Sequence, residues 1–455
     1  MELFTIADIL KATGGKLISG DGTGNITEIN TDTRVIGENM LFVALIGASF
    51  DGNNYVEQAV KAGAVGCVVS RETKADTNLI LVEDTTRALG QIAKYHKERF
   101  SVPFVGVTGS VGKTTTKDMI SCALSAKFNV LKTQKNFNNH IGLPLTLLRL
   151  ENQHQIGVVE MGMSGFGEID YLASLTKPDV AVFTNIGLSH VEKLGSRENI
   201  LKAKSEILNH LRADGLVVFC ADDDLLITLK GKTSHRYIGY GIENKEADIT
   251  ATNITAKDTS TSFDINYEGK TYQAEIPVLG DHNVKNALAS FAVALHFGVE
   301  PEEVIKALTE FVPGQMRQNI LHANGITVIN DCYNASPSSA EAGLKILGQL
   351  KGSRKIAVLG DMLEMGELSD YAHRLVGKYV VESGTDFLIT VGEKSTVIAE
   401  GAVENGLASE NTASFKTNAE AIEFIDSFIK KDDVVLVKAS RGMKLEEISE
   451  HILGF

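Results

Sequence analysis

The densest chemical signal in the chain is Gly106-Val-Thr-Gly-Ser-Val-Gly-Lys-Thr-Thr-Thr116, which follows an apolar run and precedes a helical pattern beginning near Thr115. Glycines at 109 and 112 let the backbone turn until its N–H groups surround phosphate oxygens, and the following helix adds the positive end of its dipole. Lys113 is then placed to touch the β and γ phosphates, and the Thr114 hydroxyl to ligate Mg²⁺. The spacing is G-x-x-G-K-T rather than G-x-x-x-x-G-K-[ST], because position 107 is valine. The plainer reading is a Gly-rich strand-to-helix turn with an exposed lysine; strand, loop, Gly-Lys-Thr and helix in the right order favour the phosphate loop. Such a loop establishes nucleotide binding and leaves its use open. A switch GTPase needs N-K-x-D to read guanine, and Asn244-Lys245-Glu246-Ala247-Asp248 has one residue too many.

Three further residues could complete a site. Glu160 ends an apolar run, the position where α/β nucleotide sites place a Mg²⁺ ligand, although an isolated acid at a strand end is as often simply solvated. The next such run leads into Thr184-Asn-Ile-Gly187 and His190, a second potential ligand at the same sheet edge, although most lone histidines are not ligands. Lys204 lies in a segment of helical spacing and, taken alone, reads as a surface residue.

The elements that must position these residues fall into three zones. Residues 1–82 mix short β-rich runs (40–45, 65–69, 79–82) with a helical stretch at 55–62, a small α/β domain. In 83–312, a helical pattern at 85–99 precedes buried-strand runs at 104–107, 157–159, 180–183 and 216–219, the alternation of a parallel sheet covered by helices. Within that zone, 248–279 alternates like hairpins (261–267, 271–276), and 279–297 and 302–311 read as helices. In 313–455, strands at 326–329, 355–359, 387–391 and 434–437 alternate with helices from Ser338, Ser369, Ala419 and Lys444, the period of a doubly wound sheet with ligands at the strands' carboxyl ends. The fold class is therefore α/β in three domains: a small N-terminal α/β domain, a central P-loop parallel-sheet domain and a C-terminal Rossmann-like domain.

Composition excludes several functions. The 455 residues carry 44 Lys plus Arg against 58 Asp plus Glu, a net charge of −14, which argues against nucleic acid or an anionic membrane as partner. No apolar run approaches the roughly 20 residues needed to span a bilayer, and MELFTIADIL lacks a basic segment followed by an apolar one, so a cytoplasmic chain is expected. Cys67, Cys122, Cys220 and Cys332 lie far apart without C-x-x-C spacing and read as reduced, packed thiols.

A longer set of strings resembles one family. Thr108-Gly-Ser-Val-Gly-Lys-Thr-Thr115, Asn136-Phe-Asn-Asn-His-Ile-Gly-Leu-Pro144, Glu160-Met-Gly162, Thr184-Asn-Ile-Gly-Leu-Ser-His190 and Ala203-Lys204 together resemble the Mur ligases, ATP-dependent amide ligases that build the peptidoglycan stem peptide. The match runs from Thr31-Asp-Thr-Arg34 through Gly280-Asp-His-Asn-Val-Lys-Asn286, Asp331-Cys-Tyr-Asn-Ala-Ser-Pro337, Leu359-Gly-Asp-Met-Leu-Glu-Met-Gly366 and Lys438-Ala-Ser-Arg-Gly442. Within the family, the Tyr-Asn-Ala and Leu-Gly-Asp-Met strings mark the last step, which adds D-Ala-D-Ala to UDP-MurNAc-tripeptide; the third-step D-N-P-R signature is missing. The third-step enzyme, a folylpolyglutamate synthase and a nucleotide-dependent switch are the alternatives.

The resemblance implies roles for individual residues. Thr108, Gly109, Ser110, Val111, Gly112, Lys113, Thr114 and Thr115 would cradle ATP, with Asn136 and Asn139 near the phosphates and His282, Asn283 and Asn286 on the adenine side. Thr114 and Glu160 would hold one Mg²⁺, and His190 with Glu160 a second; Lys204 would join the metal ligands as a carbamate formed with CO₂. Lys113, Glu160, His190 and Lys204 form the expected catalytic set. Thr33, Arg34, Phe50 and Asp51, with Tyr55, would hold the UDP end, and Asp331, Tyr333, Asn334, Lys438, Ser440 and Arg441 would face the dipeptide and ATP once the domains close. UDP-MurNAc-tripeptide and D-Ala-D-Ala are the expected substrates, with no nucleic acid, no membrane insertion and a monomeric state. Several positions depart from the family pattern: Gln315 stands at the hinge where Arg is usual, with Arg317 nearby, and Ser336, Ala439, Asn53 and Cys220 replace Asn, Gly, His and Asn.

Overall fold

The structure, a computed structural model, describes residues 4–314 and 316–454; the hinge departure at Gln315 lies outside the described residues. The chain forms two compact units, one containing the described residues through 108 with 127–182 and 204–216, the other 109–126, 183–203 and 217–454.

In the first unit a five-stranded sheet runs in the order Lys16–Ser19, Asn78–Leu81, Gly66–Val69, Met40–Val43, Glu28–Asn30. The last four strands are parallel and the first is antiparallel. The register follows from burial: every residue of Met40–Val43 and of Gly66–Val69 is buried, as parallel strands covered on both faces require. Phe104–Thr108 pairs in parallel with Ile156–Glu160, which pairs in parallel with Val130–Lys132. The helix Thr85–Lys97 starts where Asp84 accepts the amides of Thr86 and Arg87, so its first orphan donors are satisfied.

In the second unit, Arg236–Gly241 pairs in parallel with Ile249–Ala256, which continues antiparallel through Thr261–Tyr267 to Lys270–Ile276. A six-stranded sheet has the order Asn319–Ala323, Ile326–Asn330, Asp433–Lys438, Arg354–Gly360, Phe387–Val391, Thr412–Phe415, parallel except at its first pair. Val434, Val435, Leu436 and Val437 on its central strand are fully buried, each contributing about 1.5–3 kcal/mol of apolar burial. One face packs on Pro337–Gln349, Ser369–Glu382 and Thr396–Glu404, the other on Asn418–Phe428 and Glu446–Leu453. The carboxyl ends of Ile326–Asn330, Asp433–Lys438 and Arg354–Gly360 are neighbours, so Asp331, Lys438–Arg441 and the 361–366 loop come out on one edge.

The α/β class and the parallel sheets match the sequence reading; some limits differ. The phosphate-loop helix begins at Lys113, two residues before Thr115. The 279–297 helix begins at Asp281, because Gly280 sits at φ +95° and Leu279 belongs to the apolar core. The last helix begins at Glu446, since Lys444 has φ +53° and ends a tight turn at Arg441–Met443. The strand Thr412–Phe415 and the helix Thr396–Glu404 carry no period that the sequence reading caught.

Candidate active site

The phosphate loop is built at a strand-to-helix junction. Every residue of Phe104–Thr108 is buried, and the helix Lys113–Leu124 follows, with Gly112 as its first cap at φ +85°. Gly109, at φ +148°, packs so closely on Thr184 that a Cβ there would collide with its Oγ1. The segment after Val180–Phe183 clamps the loop. The Thr184 hydroxyl donates to the Val111 carbonyl at 2.6 Å. Asn185 Oδ1 accepts the Val111 amide at 3.0 Å, and its carbonyl accepts the Ser110 amide at 2.9 Å. The Gly187 amide donates to Ser110 Oγ at 2.9 Å. Lys113 folds back over the loop, its Nζ donating to the carbonyls of Gly109 (2.8 Å) and Ser110 (3.2 Å). Thr114 is buried, Thr115 is partly exposed, and the buried Thr108 hydroxyl lacks a hydrogen-bond partner among the described residues.

From the loop helix, Thr116 Oγ1 donates to Asn286 Oδ1 at 2.9 Å; Asn286 Nδ2 donates to Asn283 Oδ1 at 3.1 Å, and Asn283 Nδ2 to the Leu279 carbonyl at 2.8 Å. His282 Nε2 meets Gln318 Oε1 at 2.6 Å, and burial holds its imidazole below the usual histidine range. Asn283 Nδ2 also donates to Gln318 Oε1 at 3.4 Å, so His282, through Gln318, joins Asn283 and Asn286 in one polar chain reaching the loop helix.

Glu160 closes the strand Ile156–Glu160 with its side chain 2% exposed; Asn138 Nδ2 donates to its Oε1 at 2.7 Å. The bare backbone of Gly162 lets Asn138 approach, because a Cβ there would lie 2.9 Å from Asn138 Cγ. Asn138 is a contact of Glu160 that the sequence reading passed over, although it stands inside the Asn136-to-Pro144 string. Its neighbour Asn139 instead turns to the backbone before the helix Gly142–Leu147, its Oδ1 accepting the amides of Ile141 and Gly142, while Asn136 is exposed. Lys204 corrects an expectation: it is 1% exposed and is no surface residue. Helical spacing alone does not say which face of Arg197–Ser205 is covered.

His190 has φ +65° at the start of the short helix Val191–Leu194, and its Nδ1 lies 2.9 Å from Glu364 Oε2. That contact holds the Glu364 carboxyl below its usual range. Among the described residues no three His, Cys, Asp or Glu side chains gather into a ready-made metal cage. The buried Glu160 carboxylate in the first unit and the buried Thr114 hydroxyl in the second are each, taken singly, the kind of oxygen donor that Mg²⁺ accepts beside water and phosphate.

On the C-terminal sheet edge, Lys438 Nζ donates to Asp331 Oδ2 (2.7 Å) and to the Asn334 carbonyl (2.9 Å), a buried pair that fixes the 331–334 turn. The Arg317 guanidinium lies 3.8 Å from the centre of the Tyr333 ring. Ser440 Oγ accepts the Leu363 amide at 3.0 Å, and Arg441 pairs with Glu446 at 2.9 Å. In the first unit, Thr33 and Arg34 follow Glu28–Asn30, and Phe50 and Asp51 follow Met40–Val43, so all four lie beyond the carboxyl ends of adjacent parallel strands. Arg34 forks onto Asp32 and drives that carboxyl down to about 2. Asp51 pairs with Arg71 at 3.1 Å and accepts two hydrogen bonds from Asn53, while the Phe50 ring is half exposed. The four cysteines are free, and burial pushes the Cys67, Cys220 and Cys332 thiols up to about 12.

Comparison with known proteins extends this picture along the chain. Residues 25–97 match the model of the Mur ligase family catalytic domain, 107–294 the Mur ligase middle domain, and 316–441 the Mur ligase glutamate ligase domain. The chain is 40% identical over 430 residues, 93% of each protein, to the UDP-N-acetylmuramoyl-tripeptide–D-alanyl-D-alanine ligase of Bacillus subtilis. Its fold superposes on crystal structure I of MurF from Acinetobacter baumannii with a TM-score of 0.93, at 32% identity and covering 100% of both chains. It also matches the MurF ligase of Thermotoga maritima in complex with ADP, with a TM-score of 0.83 at 28% identity, covering 93% of this chain and 96% of that one. With a clamped phosphate loop, strand-end site residues and this likeness along nearly its whole length, the chain belongs to the Mur ligase family.

Proposed function

We propose that the chain is an ATP-dependent amide ligase that joins D-alanyl-D-alanine to UDP-MurNAc-tripeptide, producing the pentapeptide precursor of peptidoglycan in the cytoplasm. The observation that carries this is the phosphate loop, clamped by Thr184 and Asn185 in a chain whose relatives, matched over nearly their full length, bear that activity in their names. Three domains, 1–82, 83–312 and 313–455, would divide the work among UDP end, nucleotide and dipeptide, in a protein acting as a monomer.

A carboxylate is a poor electrophile toward an amine. The tripeptide's terminal carboxylate would therefore attack the γ-phosphorus of ATP, releasing ADP and leaving an acyl phosphate. The dipeptide's amine then attacks the acyl carbon, and phosphate departs with the former carboxylate oxygen. Lys113 would exchange its two loop carbonyls for phosphate oxygens and neutralise charge on the transferring group. Backbone amides of 109–115 would cradle the phosphates, and Thr114, Glu160 and His190 would hold Mg²⁺. Bound there, Mg²⁺ would lower the charge on the phosphoryl oxygens. A free ammonium at Lys204 would repel such a cation; as a carbamate the residue would instead join its ligands. Arg34 and Asp51 would position the UDP end, and Asp331, Tyr333, Asn334, Lys438, Ser440 and Arg441 the dipeptide.

The deciding experiment measures ADP release with Mg²⁺, ATP and UDP-MurNAc-tripeptide, adding D-Ala-D-Ala or single L-amino acids, with mass analysis of the product. Release that depends on D-Ala-D-Ala and yields pentapeptide is expected. Release that follows an L-amino acid, or ignores the acceptor, overturns the assignment.

A further inference from the structure

Glu364 belongs to none of the residue sets assigned above, yet its carboxylate Oε2 lies 2.9 Å from His190 Nδ1. The loop bearing it, between Arg354–Gly360 and Ser369–Glu382, is shaped to reach the 184–195 segment. Gly366 there adopts φ +52°, and a Cβ on it would sit 3.0 Å from Glu192 Cβ and Cγ, so only a bare backbone comes this close. A second approach lies nearby, where a Cβ on Gly187 would stand 3.3 Å from Ser338 Oγ. The 184–195 segment thus touches the phosphate loop through Thr184, Asn185 and Gly187, and the C-terminal loop through His190 and Glu192.

The chemistry of the pair is directional. A carboxylate 2.9 Å from Nδ1 makes that nitrogen the proton donor, which leaves Nε2 with its lone pair. Histidines that ligate metals commonly have this partner on the far ring nitrogen, fixing tautomer and ring plane and raising basicity. We propose that Glu364 is a positioning residue: it locks His190 in the Nδ1–H tautomer and presents Nε2 to the divalent cation. The assignment rests on the reading of His190 as a metal ligand and adds to it the residue that makes it one. It also gives the ligand state a structural condition, since the lock exists only while the 361–366 loop is seated beside His190.

Glu364 is 49% exposed at its side chain, so truncating it opens no buried hole. The test uses full-length protein with ¹⁵N-labelled histidine, reading the His190 ring nitrogens by NMR and assigning them by their loss in His190→Gln, with Mn²⁺ as the probe ion. Wild type is expected to show a single Nδ1–H tautomer whose signal Mn²⁺ broadens. Glu364→Ala should give a tautomer mixture and require about 10–100-fold more Mn²⁺ for the same broadening. Glu364→Gln, whose amide oxygen still accepts the Nδ1 proton, should keep the wild-type tautomer. An unchanged tautomer in Glu364→Ala, or a changed tautomer with unchanged Mn²⁺ dependence, overturns the proposal while leaving His190 as a ligand. If Mn²⁺ leaves the wild-type signal untouched, the ligand reading fails and the positioning role fails with it.

Discussion

A buried carboxylate is tolerated only when hydrogen bonds or cations compensate its lost hydration, and at Glu160 one compensating group is the Asn138 amide at 2.7 Å. Asn138→Ala should leave the fold intact yet lower ligation by about 10–100-fold and raise the Mg²⁺ needed for half-maximal rate, the usual cost of losing a residue that orients a ligand. Asn138→Asp should be worse, because a second carboxylate against Glu160 repels it; wild-type activity in both variants would remove Asn138 from the site. Lys204 offers the complementary test. An alkyl ammonium this buried is costly unless paired or modified. Lys204→Ala should abolish ligation, and added short-chain carboxylates should restore part of it by standing in for the carbamate. Full activity of the unrescued variant would refute any role for the residue.

Elements here are joined by a few buried polar contacts whose loss should be felt well beyond the contact itself. Thr116 ties the helix Lys113–Leu124 to Asp281–His296 through Asn286 Oδ1. Thr116→Val would strand that oxygen and should cost about 1–3 kcal/mol, read as a lower thermal midpoint. In the helix Thr85–Lys97, burial pushes the His96 imidazole down to about 4, against the 2.9 Å contact with the Leu150 carbonyl that favours its charged form. A histidine whose folded value lies below its unfolded one (roughly 6.5) takes up protons more readily when unfolded. Its stabilising contribution is complete above about pH 6.5 and is lost as the pH falls toward 4. Calorimetry across that window should show the midpoint falling, and His96→Phe, which puts a non-titrating ring between Phe4 and Phe100, should flatten the slope. Such pairings explain why the sequence was legible to different depths. Runs such as 104–107 and 434–437 announce buried strands by composition, and the glycines at 109 and 112 announce the loop. By contrast, the contacts Asn138–Glu160, Asn185–Val111 and Glu364–His190 join residues 22, 74 and 174 positions apart, so no local spacing encodes them. Lys204 misled for the same reason, since burial is set by what packs against a helix.

At the scale of the whole molecule, the residues proposed for the site follow strands of three sheets: Arg34 and Asp51 beyond the strands of the five-stranded sheet, the phosphate loop beyond Phe104–Thr108, and Asp331 with Ser440 beyond the six-stranded sheet. On the proposed reading, an acyl phosphate would survive only if water were kept away while the amine attacks, so closure on binding the ligands is expected. The energy for such a closure would come from parts of the substrates remote from the reacting atoms, the uridine diphosphate and the nucleotide, which would make it dependent on both. Small-angle scattering of the free chain should therefore give a radius of gyration above the value of about 22 Å expected for a compact chain of this length. Addition of a non-hydrolysable ATP analogue with UDP-MurNAc-tripeptide should lower it toward that value, further than either ligand alone. Scattering curves that saturating ligands leave unchanged would mean that the intermediate is protected without domain movement, and that the edges are assembled before substrate arrives.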